Sequence, residues 1–141
     1  MHPGDVAGID RSAAAGDSTA LREIDAPGRP LELVSTLCRT LEEAGVAYCH
    51  WKSNESLDRS ASGENDLDLL VFRSDARRFE GILRDLGFRD AQLPRWKELP
   101  GVYHSYGVDR RSGRFVHIHA HYQLVIGDDM TKNYHLPIEV P

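Results

Sequence analysis

Two carboxylates stand two residues apart in Gly63-Glu64-Asn65-Asp66-Leu67-Asp68-Leu69-Leu70-Val71, and three histidines repeat that spacing in Val116-His117-Ile118-His119-Ala120-His121. Side chains two apart on a strand share a face. Asp66 and Asp68 are therefore expected to project together, with Leu67 and Leu69 turned into a core. Aspartate is depleted in strands, and two like charges side by side repel, a cost that a divalent cation offsets. Mg²⁺ takes oxygen ligands, commonly one or two carboxylates plus phosphate oxygens. The pair thus suits a nucleoside triphosphate carrying Mg²⁺ or Mn²⁺. The plainer alternative is a solvated strand end after a turn rich in Asn and Asp.

By the same alternation His117, His119 and His121 share one face, and Val116, Ile118 and Ala120 the other. Neutral imidazole binds transition metals and serves as a general base near neutral pH. Positions i to i+4 on a strand span roughly 13 Å, so at most two of the three are expected at a shared ion. The alternative is a half-exposed strand with a histidine-rich polar face. A third candidate is His50-Trp51-Lys52-Ser53-Asn54, where a strand runs into a turn. Lys52 can pair with a phosphate, and the Ser53 hydroxyl with nearby backbone N–H groups can cradle one; a short polar turn also forms without any ligand. Trp51 reads as packing, and Arg95, Lys97, Arg110 and Arg111 as surface charge.

The elements that must position these groups follow from hydrophobic period. Residues 1–29 are rich in Gly, Ala, Asp and Ser and read as a mobile leader, with a fleeting helix at most over Ala13 to Ala20. Pro30 suits a helix start. Val34, Leu37, Cys38 and Leu41 then form a helical stripe that ends at Gly45. Val46 to Trp51 reads as a strand, and Lys52 to Gly63 as a turn-rich segment with a helical turn near Glu55 to Arg59. Asp66 to Phe72 reads as a nearly continuous apolar strand. Ser74 is expected to cap a second helix, with Asp75 in its first turn, a stripe of Phe79, Ile82, Leu83 and Leu86, and an end at Gly87. Phe88 to Leu93 predicts a short strand. Val102 to Asp109 and Arg114 to Val125 predict two strands joined by a hairpin loop. Residues 127–141 show no clear pattern, and the run ending at Pro141 without a capping signal suggests the front part of a longer protein with a further C-terminal domain. The order predicts an α/β domain of α+β type, residues 30–141, with a mixed β-sheet backed by helices.

Composition bounds the partners. At 141 residues the chain has room for one domain, and a net charge of −5 offers no basic footprint for duplex nucleic acid. Cys38 and Cys49 form no CxxC pair and read as buried thiols compatible with a reducing compartment. No run approaches the ~18 apolar residues of a membrane span, and the N-terminus lacks a signal pattern. The expectation is a cytoplasmic protein without a membrane partner.

Together these motifs resemble the nucleotidyltransferase superfamily (polymerase-beta-like). That superfamily has a strand ending in a Gly-Ser or Gly-Gly turn, an Asp-x-Asp strand, and a third carboxylate from a later strand. The closest likeness is to an uncharacterised bacterial branch with motifs like Leu-Lys-Gly, Asp-Ile-Asp-Leu-Leu-Val and Ile-Asp-Leu-His. It covers Val46 to Val125, and Asp66-Leu67-Asp68-Leu69-Leu70-Val71 is its most specific part. The resemblance implies a nucleotidyltransferase-like fold. It also implies transfer of a nucleotidyl group from a triphosphate to an acceptor, with Asp66 and Asp68 on Mg²⁺ and Lys52 and Ser53 at phosphate. Two positions depart from the pattern: Asn54 follows Lys52-Ser53 where a glycine turn is expected, and His119 stands in place of the third carboxylate. His119 would then orient or deprotonate the attacking hydroxyl. The same departures fit a second reading, a nucleotide-binding or regulatory domain with impaired catalysis. A third reading is a transition-metal protein built on His117, His119 and His121.

Overall fold

The computed structural model describes residues 29–51, 54–94, 98–126 and 134–135. The leader, the Lys52-Ser53 turn, Arg95, Lys97 and most of the C-terminal stretch lie outside the described residues. Helix α1 spans Glu32–Glu43 and β1 Tyr48–His50; a 3₁₀ turn at Asn54–Ser56 leads into the short α2, Leu57–Ala61. Strand β2, Leu67–Val71, is followed by a second 3₁₀ turn at Arg73–Asp75 and by α3, Ala76–Asp85. The two-residue β3, Arg89–Asp90, precedes the long hairpin of β4, Val102–Val108, and β5, Phe115–His121. Val125–Ile126 (β6) and Tyr134–His135 (β7) form a separate two-stranded ladder.

The main sheet has the order β1-β2-β5-β4-β3. Only the central pair, β2 with β5, is parallel; β1–β2, β5–β4 and β4–β3 are antiparallel. This is the mixed sheet with helices that the order of elements predicts. One face is the core. Leu67, Leu69 and Val71 of β2 and Val116, Ile118 and Ala120 of β5 are buried there with Val34, Leu37 and Leu41 of α1 and Phe79 and Leu83 of α3. The helical stripes exist because these apolar side chains recur every three or four residues and so meet the sheet along one line. Burying each large aliphatic or aromatic group contributes roughly 1.5–3 kcal/mol.

Several local expectations need correction. The β2 strand stops at Val71, and Phe72 is 61% exposed; the apolar run carries one residue past the last position that the helices cover. Ser74 makes no cap to α3. The 3₁₀ turn displaces the helix start, and Asp75 turns its carboxylate back to accept from the Ala47 N–H (3.0 Å), holding the entry to β1. Cys49 is exposed, not buried, because it lies opposite Leu70 on the face away from the helices. Cys38 is half-buried beside the core.

Gly63 sits just before β2 with φ +75°, and a Cβ there would come within 2.9 Å of the Phe115 carbonyl oxygen. Only glycine lets the chain turn so close to the start of β5.

The hairpin tip is held by a carboxylate that the sequence reading left as an ordinary strand end. Asp109 is 1% exposed. One of its oxygens accepts from the Ser112 N–H (2.8 Å) and hydroxyl (2.9 Å), and the other from the Leu33 N–H (2.8 Å). Leu33 lies in the first turn of α1, where backbone N–H groups have no partner inside the helix. The residue just before the helix, Leu31, makes no side-chain cap. Asp109 therefore caps α1 from 76 residues away, with its negative charge at the positive end of the helix. Burial works to raise its pKa, but hydrogen bonds from the N–H groups of Leu33, Ser112 and Arg111 and the Ser112 hydroxyl prevail and hold the carboxyl below the usual range.

A depressed carboxyl pKa stabilises the fold above the value of the unfolded chain and ceases to do so as pH falls below it. Replacing Asp109 with Asn should therefore lower stability at neutral pH, by about 1–3 kcal/mol on the scale of lost bonds to a charged acceptor. It should also weaken the acid dependence of unfolding below about pH 4. Denaturant melts of both proteins from pH 3 to 7 measure this, and parallel curves with no offset would contradict it.

Candidate metal and nucleotide site

The parallel β2–β5 register sets Asp68 opposite His119 and Leu70 opposite His121. The β4–β5 hairpin then places His104 opposite His119 and Tyr106 opposite His117. Alternation turns all of these to the face away from the helices. Asp66 and Asp68 do share that face, as the spacing predicts, but each has its own imidazole. His117 Nδ1 lies 2.7 Å from Asp66 Oδ1, and His119 Nδ1 lies 3.0 Å from Asp68 Oδ1. His121 Nε2 approaches the same Asp68 oxygen at 3.6 Å. Two of the three histidines thus converge on one carboxylate, within the limit that strand geometry sets, and the third is taken by Asp66.

Burial deepens along β5. Phe115 is 70% exposed, while the side chains of His119 and His121 are 14% and 2% exposed. Asp66 is the open carboxylate, with 56% of its side chain exposed, and Asp68 the enclosed one at 20%. Trp51 flanks the enclosed end, its ring centroid 6.4 Å from that of His121 and its backbone N–H donating to the Asp68 backbone carbonyl at 2.9 Å. The packing role expected for Trp51 fits this position.

His104 and Tyr106 were not singled out in the sequence. His104 stacks on His119 with centroids 4.3 Å apart, and Tyr106 stacks on His117 at the same distance with planes 7° apart. A signal for both was present: if Val108 and Phe115 pair across the 109–114 loop, hairpin symmetry puts residue 104 against 119 and 106 against 117. His104 Nδ1 is 3.1 Å from His117 Nε2. With His117 Nδ1–H donating to Asp66, its Nε2 is left to accept from His104 Nδ1–H, which assigns the tautomers of a short Asp66–His117–His104 chain. Burial, followed by the neighbouring imidazoles of His119 and His117, pushes the His104 pKa down to about 4. A neutral His104 with its proton on Nδ1 satisfies that chain.

Among the described residues, Asp68, His119 and His121 each offer one ligand atom, all within 4.8 Å of one another. Asp66 is not in this group. A surface cavity of about 650 Å³ lies beside β4, lined by Ala91, Leu93, Leu99, Tyr103 and His104 among others; His104 is the wall it shares with the histidine face. Comparison of the chain with protein-family models, curated proteins and solved structures yields no match.

Because the folded His104 value lies below the 6.5 of an unperturbed histidine, the unfolded chain takes up this proton first. Stability should fall as pH drops from about 6.5 towards 4. In metal-free protein the His104 ring resonances should hold their neutral shifts until close to pH 4. A midpoint near 6.5 would mean that the ring is not enclosed as described.

Proposed function

We propose that this chain is a metal-dependent nucleotidyltransferase domain acting in the cytoplasm on a nucleoside triphosphate and an acceptor that carries a hydroxyl. The observation that carries the reading is that Asp68 in β2 and Asp66 just before that strand both meet the imidazole row of β5. Carboxylate oxygens are the donors that Mg²⁺ takes alongside phosphate oxygens, and Asp68 with Asp66 would hold Mg²⁺ or Mn²⁺ brought by the triphosphate. Such an ion would supply charge neutralisation for the transferred phosphoryl group and the departing pyrophosphate.

The chain's own groups account for the remaining work. Asp68 orients the His119 ring through its Nδ1, and in this reading His119 takes the proton of an attacking hydroxyl. The resemblance puts Lys52 and Ser53 at phosphate. The cavity beside β4 is large enough for a small acceptor and reaches the histidine face at His104. The acidic chain makes duplex nucleic acid a poor acceptor candidate.

One observation favours a second reading on the same fold. The position opposite Asp68 is His119, not a carboxylate, so an oxygen donor of the family pattern is replaced. A domain that binds triphosphate without turning it over, as a regulatory module of a longer enzyme, has that composition.

Titration calorimetry with each common nucleoside triphosphate should show binding that requires Mg²⁺ or Mn²⁺ and is lost in the folded Asp66→Ala/Asp68→Ala double variant. Unchanged binding in that variant would remove the carboxylates from the site. Pyrophosphate release across an acceptor screen would exclude the binding-only reading.

A further inference from the structure

We infer that Asp68, His119 and His121 form a binding site for a first-row transition ion of the Mn²⁺, Co²⁺ or Zn²⁺ class, which fills without any nucleotide. The inference goes beyond nucleotidyl transfer and stands on donor geometry. Asp68 Oδ1 lies 3.0 Å from His119 Nδ1 and 3.6 Å from His121 Nε2, and all three donor atoms fall within 4.8 Å of one another. Ligands about 2.0–2.1 Å from one ion stand about 3.0 Å apart at octahedral angles and about 3.4 Å apart at tetrahedral ones. The two carboxylate–imidazole separations bracket those values, and binding an ion draws the two imidazoles into the same range.

The donor types select the ion. Two imidazoles and one carboxylate are a poor set for Mg²⁺, which favours oxygen, and a good one for borderline first-row ions. Three protein ligands leave coordination positions for water or a substrate oxygen, the pattern of reactive rather than purely structural metal sites. The surroundings fix the ligands in place. His119 is stacked against His104, and His121 is nearly enclosed at the Trp51 end of the row. Groups behind metal ligands that restrict ring orientation strengthen binding. The strand pairing also separates this site from Asp66, which is occupied by His117. With an ion bound, His119 is a ligand and not a base. The two assignments therefore make different demands on one side chain, and metal binding alone can separate them.

The test uses the whole chain without a histidine tag, stripped of metal, with Co²⁺ added in the absence of nucleotide. One equivalent should bind and develop visible d–d absorption, and Zn²⁺ should displace it. Mg²⁺ in large excess should not compete. Loss of a direct ligand should cost more than the ~10–100-fold typical of an outer partner, so His119→Ala and Asp68→Asn should each weaken Co²⁺ by at least about 100-fold. His117→Ala should leave affinity within about threefold, below that range. His121 is enclosed and its replacement disturbs the packing around it, so the two other ligands carry the decision, with circular dichroism as the check on folding. Absence of Co²⁺ binding by the folded wild type would overturn the inference. So would binding that survives both ligand variants, or binding that is lost equally in His117→Ala. Triphosphate binding with Mg²⁺ is read separately, so either conclusion can fail while the other stands.

Discussion

Everything at the site depends on the parallel pairing of β2 with β5. It is the one parallel contact in the sheet, and it joins the strand that carries the aspartates to the strand that carries the histidines. Because side chains alternate, the register that sets Asp68 beside His119 also sends Leu67, Leu69, Val116, Ile118 and Ala120 beneath the helices. A slip of one residue would put carboxylates and imidazoles into the core and the aliphatic set into water. The hydrophobic core and the polar row are therefore two sides of one constraint, and burial of the first fixes the geometry of the second.

Among the described residues, the carboxylates of the polar row meet imidazoles and not lysine or arginine. Asp66 and Asp68 each face a ring nitrogen at 2.7 and 3.0 Å, so the repulsion between two carboxylates on one strand is relieved by groups that can give up a proton or a ligand position. A guanidinium would hold its charge permanently. Imidazole is exchangeable, and a cation or a substrate can take over its role. Exposure rises from His121 to Phe115, so anything approaching from solvent meets Asp66 and His117 before Asp68.

Much of this was legible in the sequence because it rests on short periods. The stripe of Val34, Leu37 and Leu41 and that of Phe79 and Leu83 fall where their spacing puts them, and so do the alternating faces of β2 and β5. Strand rise alone limits how many of the three histidines reach one partner, and the structure brings two of them to Asp68. What escaped depends on contacts distant in sequence. Cys49 looks like a core thiol until β1 is seen to pair with β2 at the edge of the sheet, where that face has no helix. Asp75 has the signature of a helix-start residue, yet its partner is the Ala47 N–H, 28 residues back. His104 belongs to the site only once the hairpin register is known. The Lys52-Ser53 turn lies outside the described residues, and its part rests on the resemblance alone.

The capping of α1 by Asp109 has a consequence for the order in which the chain assembles. The first of the described helices has no side-chain cap of its own, and the group that completes its first turn arrives with the hairpin loop, 76 residues later. Isolated helices of about a dozen residues are marginal in water, so α1, at 12 residues, gains its full stability only when β4 and β5 have turned back on each other. Helix α1 is thus a late element in energetic terms although it precedes the hairpin in sequence. Closing that long loop commits the helix layer and the hairpin to fold as one cooperative unit.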